Sequence, residues 1–82
     1  MNIIVYTKTG CGWSNKVMAY LKAEHIPYEE RNMTENPQYQ KEAEEKSGQS
    51  KSPTVDIDGT VFADTDTEQV RAAITKLRYT AV

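Results

Sequence analysis

The chain opens with four apolar, β-favouring residues, Ile3-Ile4-Val5-Tyr6, breaks at Thr7-Lys8-Thr9-Gly10, and passes at Cys11 into a helical pattern. A continuous apolar run of this kind reads as a strand buried on both faces. From Cys11 onward Trp13, Val17, Tyr20 and Leu21 fall near one helical face, with Lys16 and Lys22 off it. His25-Ile26-Pro27 ends this helix, because proline disfavours helical geometry in the residue before it. A shorter strand is expected from about Tyr28 to Asn32. Strand, helix and strand at this spacing make a βαβ unit, whose crossover is right-handed in nearly all cases.

The second half is punctuated as clearly. Asn36-Pro37 is an N-cap followed by proline at the first helical position, and Gly48 stops the helix after Ser47. The apolar face of that helix is little more than Tyr39 and Ala43, so it should lie on the surface of a sheet. Glu42, Glu44 and Glu45, interleaved with Lys41 and Lys46, read as a solvated face. Thr54-Val55-Asp56-Ile57 alternates as a half-exposed strand, Asp58-Gly59 is a two-residue hairpin turn, and Thr60-Val61-Phe62-Ala63 is the return strand. Asp66 and Gln69 are spaced as a capping box for a last helix with Val70, Ala73, Ile74 and Leu77 as its buried stripe. The end, Thr80-Ala81-Val82, should be loose. The expected architecture is α/β: a βαβ unit followed by ββα, giving a four-stranded mixed sheet with helices on both faces.

Composition narrows the function. At 82 residues the chain is expected to be one domain, residues 1–82. With 10 Lys+Arg against 12 Asp+Glu, it lacks the basic footprint of a nucleic-acid binder and the cationic helix of a membrane-surface peptide. No apolar run approaches the roughly 18–20 residues needed to span a bilayer, and Met1-Asn2-Ile3-Ile4-Val5 has no basic n-region. A monomer without nucleic-acid or membrane partners is expected. Cys11 is the single cysteine, so no internal disulfide is possible, and a reduced cytoplasmic setting is the default. His25 has no Cys/His cluster around it that would make it a metal ligand.

Cys11 sits where the first strand gives way to the first helix. Unpaired backbone N–H groups and the positive end of the helix dipole favour an anion there. A cysteine so placed can have its pKa drawn from about 8.5 toward 3.5–7.5, making it thiolate near neutral pH. Lys8, in the preceding turn, can add positive charge, and the hydroxyl of Ser14, in the first helical turn, can hydrogen-bond the sulfur. A thiolate is the nucleophile of thiol–disulfide exchange. The competing reading is a small buried hydrophobe that happens to be cysteine.

The series Tyr6-Thr7-Lys8-Thr9-Gly10-Cys11-Gly12-Trp13-Ser14, Pro27-Tyr28, Asn36-Pro37, Ser47-Gly48-Gln49, Ser52-Pro53-Thr54-Val55 and Ile57-Asp58-Gly59 resembles a glutaredoxin, in order, from about residue 2 to residue 77. The resemblance implies the thioredoxin fold and glutathione-linked thiol–disulfide oxidoreductase activity, with glutathione as co-substrate and glutathionylated or disulfide-containing proteins as partners. It makes Cys11 the nucleophile and Lys8 the residue supporting both the thiolate and the glycyl carboxylate of glutathione. Trp13 takes the place of the aromatic beside the groove, and Gln40 falls where the second helix commonly meets the glycyl carboxylate. Pro53 matches the family's cis-proline, which exposes the Ser52 backbone to pair with the cysteine of glutathione. Thr65, Asp66 and Thr67 occupy the place that binds the γ-glutamyl end.

Two departures bear on mechanism. Where the family usually has C-P-Y-C, this chain has Cys11-Gly12-Trp13-Ser14, so there is no resolving thiol and only the monothiol route remains. Ser14 is either native, as in monothiol relatives, or an engineered Cys→Ser replacement. Where the family commonly has Gly-Gly, this chain has Ala63-Asp64. Mycoredoxin-like members also lack that pair and use a different small thiol. Cys11-Gly12-Trp13-Ser14-Asn15 further resembles the C-G-F-S motif of monothiol glutaredoxins that bridge a [2Fe–2S] cluster across a dimer with two glutathiones, although those have a longer loop before the cysteine and Trp-Pro in place of Ser52-Pro53. A third alternative is an adaptor that keeps the fold around an unactivated thiol.

Overall fold

The computed structural model describes residues 2–80, with side chains described as far as Leu77. The elements run β1 (Ile3–Thr7), α1 (Gly12–Ala23), β2 (Glu29–Asn32), α2 (Pro37–Ser47), β3 (Thr54–Ile57), β4 (Thr60–Phe62) and α3 (Thr67–Thr80). The sheet order is β2-β1-β3-β4. Strand β1 is parallel to β2 and antiparallel to β3, and β3 is antiparallel to β4. This is the mixed sheet expected from βαβ followed by ββα.

Strand β1 is apolar throughout because both of its faces are covered. Ile3 and Val5 join Val17 and Leu21 of α1, Val55 and Ile57 of β3, and Val70 and Ile74 of α3 in the main core. Ile4 and Tyr6 point the other way and meet Met33 and Ala43 under α2, with Tyr39 at the margin. The period of two along a strand therefore splits one apolar run between two layers. Helices α1 and α3 pack together on one face, and α2 covers the other.

Helix α2 begins and ends as its sequence signals: Asn36 accepts a hydrogen bond from the Gln38 backbone N–H at 3.0 Å, and Gly48 stops the helix at φ +79°. The hairpin turn places both Asp58 (φ +50°) and Gly59 (φ +92°) in the left-handed region, as a type I′ turn requires.

Five expectations are corrected. Strand β3 is buried along its whole length rather than half-exposed, and Asp56 keeps only 8% of its surface. Lys46 makes that burial tolerable, because its Nζ donates to Asp56 Oδ2 at 2.8 Å and to the Tyr6 hydroxyl at 2.9 Å. The charged run on α2 is accordingly not all solvated face. Glu42 accepts from the buried Tyr6 hydroxyl at 3.0 Å and from Arg31, while Lys41, Glu44 and Glu45 stay exposed.

Trp13 is 58% exposed, and Ser14 takes the inward position beside Val17 and Leu21. The Asp66–Gln69 box forms by half: the Gln69 N–H donates to Asp66 Oδ1 at 2.9 Å, but the Gln69 side chain accepts from Thr65 Oγ1 rather than turning back to the cap. Finally, Thr80 closes α3 instead of starting a loose tail; Ala81 and Val82 lie outside the described residues.

Candidate active site

Cys11 is the N-cap of α1, with φ −82° and ψ 106°. The turn before it closes through the Cys11 N–H donating to the Lys8 carbonyl at 3.1 Å. Its thiol is half-buried and stands 3.8 Å from the Ser52 carbonyl oxygen, to which it donates. The Ser52-Pro53 peptide is cis. Across the same contact the Ser14 and Ser52 hydroxyl oxygens lie 2.6 Å apart. Helix α1 and the loop leading into β3 are thus tied together at the sulfur.

The third component is the segment entering α3. The Thr65 N–H donates to the Pro53 carbonyl at 3.0 Å, fixing that segment against the cis-proline. Between them lies a shallow depression of about 140 Å³ lined by Trp13, Ser52, Asp64, Thr65 and Asp66. The exposed Trp13 ring forms one wall, with Lys16 Nζ 4.7 Å from its centre.

Burial alone would raise the Cys11 pKa. The Ser14 and Ser52 hydroxyls and the Ser14 and Trp13 backbone N–H groups outweigh it, so the thiol is held below its ordinary value. Donors aimed at the sulfur stabilise the charged form. Lys8 is exposed, and its charge is not among the causes of the shift. The donors that lower the thiol's pKa are hydroxyl and backbone groups.

Of the residues singled out in the sequence, Cys11, Ser14, Trp13, Ser52, Pro53, Thr65 and Asp66 come together here. Thr67, the first residue of α3, is half-buried just beyond the lining residues. Gln40 is not brought in: it is exposed on α2, and its amide donates to Glu44 Oε1 at 3.1 Å. Two features were not read from the sequence. One is the side chain of Ser52, of which only the backbone was expected to act. The other is the ion pair of Lys51 Nζ with Asp64 Oδ2 at 3.7 Å. No sequence signal announces either, since each depends on bringing together segments remote along the chain.

Residues 3–62 match the protein-family model of the glutaredoxins. This chain belongs to the glutaredoxin family. It is 27% identical over 74 residues to an uncharacterised glutaredoxin-like 8.6 kDa protein of the rubredoxin operon of Clostridium pasteurianum, covering 90% of this chain and 99% of that one. A crystal structure of a thioredoxin-like protein superimposes with a TM-score of 0.79 at 28% identity, covering 85% of this chain and 96% of the other. The glutaredoxin of Archaeoglobus fulgidus shares the fold at a TM-score of 0.75 and 17% identity, over 88% of this chain and 84% of that one. The fold is thioredoxin-like, and the glutaredoxin has a thiol redox role of the thiol–disulfide oxidoreductase kind.

Its donor set bears on the cluster alternative. A [2Fe–2S] cluster takes four ligands, commonly thiolates. This glutaredoxin has one sulfhydryl, and among the described residues no group of three His, Cys, Asp or Glu side chains is placed to hold a metal. In the bridged form that the motif resembles, each chain would supply Cys11 alone and glutathione the remaining thiolates, a donor set that one cysteine per chain fits.

Proposed function

We propose that this protein is a glutathione-linked, monothiol thiol–disulfide oxidoreductase. The observation that carries the reading is the Cys11 thiol at the start of α1, standing 3.8 Å from the Ser52 carbonyl at the edge of an open depression, where neighbouring donors lower its pKa.

The Cys11 thiolate attacks the glutathionyl sulfur of a glutathionylated protein or of glutathione disulfide. A Cys11–glutathione disulfide forms, the substrate's S–S bond breaks, and the substrate leaves as a thiolate that takes a proton from water. A second glutathione thiolate then attacks the glutathionyl sulfur of the adduct. Glutathione disulfide departs and the Cys11 thiolate returns. Over the cycle a glutathionylated protein and one glutathione give the protein thiol and glutathione disulfide, and with glutathione disulfide itself as substrate the exchange is degenerate. The depressed pKa serves both halves, because it raises the thiolate fraction in the attack and makes Cys11 the better leaving group in the release.

In this reading the peptide of glutathione lies along Ser52-Pro53, its cysteine backbone pairing with Ser52 and its γ-glutamyl end beside Thr65 and Asp66. The helix terminus there favours a carboxylate. Ser14 cannot resolve the adduct, so release depends on external thiol. The partners are glutathione and glutathionylated or disulfide-containing proteins, and the reducing cytoplasm is the setting that supplies them.

Intact-mass measurement after exposure to glutathione disulfide tests this. One glutathione per chain, removed by added glutathione, is expected. No adduct, or an adduct that added glutathione leaves in place, would overturn it.

A further inference from the structure

The γ-glutamyl end of glutathione is an α-amino acid, with an ammonium and a carboxylate on one carbon. Beyond the N–H groups that the start of α3 offers its carboxylate, one charge of each sign within a few ångströms suits such a group. At the edge of the depression beside Cys11 the chain provides that pair from two loops. Lys51 immediately precedes Ser52, and Asp64 immediately precedes Thr65. Lys51 Nζ lies 3.7 Å from Asp64 Oδ2, and Asp64 itself lines the depression with Ser52, Thr65 and Asp66.

The contact is one that a ligand can exchange. Both side chains are more than half exposed, at 65% and 56%, and among the described residues one long contact joins the pair. An exposed ion pair of this kind contributes little to stability. Asp66, the neighbouring carboxylate, is partly committed, because its Oδ1 accepts the N–H of Gln69 as the cap of α3. Asp64 has no such duty, and at φ +52° its backbone turns the chain into the cap. The volume also suits the end group. A depression of about 140 Å³, a few waters' worth at ~30 Å³ each, admits the five non-hydrogen atoms of an α-amino acid head.

We infer that Lys51 and Asp64 form an exchangeable charge pair that reads the α-amino-acid head of the thiol co-substrate, Lys51 joining the start of α3 in holding its carboxylate and Asp64 taking its ammonium. Ligand binding replaces one ion pair with two. The site accordingly selects a small thiol ending in a zwitterion and disfavours one whose corresponding end is neutral or carries a single charge. The side-chain bulk and charge of Ala63-Asp64 become part of recognition rather than an obstacle to it. This rests on the glutathione reading of the previous subsection.

The test follows adduct formation on Cys11 at low salt with three disulfides: glutathione disulfide, the analogue lacking the γ-glutamyl α-carboxylate, and the analogue lacking its α-amine. Hydroxyethyl disulfide serves as the reference. Lys51→Met should slow the reaction with glutathione disulfide about threefold to fivefold, the effect of an exposed charge pair, while leaving the rate with the carboxylate-free analogue unchanged. Asp64→Asn, which tolerates the left-handed backbone, should slow glutathione disulfide similarly and spare the amine-free analogue. Slowing of all three disulfides alike, or of none, would overturn the charge-pair assignment while leaving the glutathione reading standing. If the unaltered protein prefers glutathione disulfide no more than hydroxyethyl disulfide, the glutathione reading itself falls, and the assignment with it.

Discussion

The Ser14 and Ser52 hydroxyl oxygens lie 2.6 Å apart, joining α1 to the loop before β3 across 38 residues of sequence, directly beside the Cys11 thiol. Two hydroxyls carry two protons. One occupies the bond between them, and the other is available to a thiolate at Cys11. Both hydroxyls lower the thiol's pKa. Ser52→Ala should therefore raise the midpoint of Cys11 alkylation and slow alkylation at neutral pH about tenfold, since a hydrogen bond to a charged acceptor is worth roughly 1.5–3 kcal/mol. Ser14→Ala should act in the same direction. The double variant should fall short of the product of the two, because both changes break one shared contact. Alkylation rate against pH, with iodoacetamide, measures all three.

Lys8 offers a contrast. It is exposed in the turn before Cys11, whereas the donors that lower the Cys11 pKa are hydroxyl and backbone groups. Lys8→Ala should leave the alkylation midpoint in place. A midpoint that rises as far as in Ser52→Ala would show that its charge reaches the sulfur after all.

The sign of the pH dependence follows from the direction of the shift. Cys11 is acidic with a folded pKa below its ordinary value. Reactivity should rise with a midpoint below about 8.5, the value of an unperturbed thiol. The stability that the folded thiolate contributes is present in full above the unfolded pKa and lost as pH falls through the folded one. Urea unfolding from pH 5 to pH 9 should show this rise in the parent protein and a smaller one in Cys11→Ser.

Restoring a second thiol tests the monothiol route. Ser14 is buried at the first turn of α1, beside the site of the mixed disulfide. Ser14→Cys should convert the glutathione adduct to an internal disulfide with release of glutathione. Intact mass should fall from one adduct to a chain two hydrogens lighter than the reduced form. An adduct that persists unchanged would show that residue 14 cannot reach the Cys11 sulfur.

Beneath α2, Lys46 joins Asp56 of β3 to the Tyr6 hydroxyl of β1, and Glu42 accepts the Tyr6 proton. Lys46→Met removes the partner of a mostly buried carboxylate and should cost roughly 1–3 kcal/mol, or at least about 4 °C in melting temperature for a domain of this size. Burial tends to lower the Lys46 pKa, but Asp56 and Tyr6 together raise it above the ordinary value. The stability it contributes is complete below the unfolded lysine pKa and is lost as pH rises through the folded one. Thermal melts should show no Lys46-linked change below about pH 10.4, the ordinary lysine pKa, and above it a decline that Lys46→Met lacks. Cys11 reactivity at pH 7 should hardly change, since no Lys46 contact reaches the site.

What the sequence determined by itself is local. Strand β1 follows from the apolar run Ile3–Tyr6, α2 from Asn36-Pro37 and Gly48, the hairpin from Asp58-Gly59, and the helix-terminal place of Cys11 from the break at Thr7–Gly10. In each case the residues that set the backbone are adjacent or one helical turn apart. Tertiary structure decided the rest. The burial of β3 depends on Lys46 reaching Asp56 from another element, which no alternation within β3 encodes. Trp13 and Ser14 differ by one helical step of about 100°, so only the packed position of α1 settles which faces inward. The activation of Cys11 rests largely on Ser52 and Ser14, residues that meet because the Ser52-Pro53 loop is packed against the start of α1. Hydrogen bonds and ion pairs between remote segments are short-range and directional, so their partners become definite only when the sheet and helices bring them within reach.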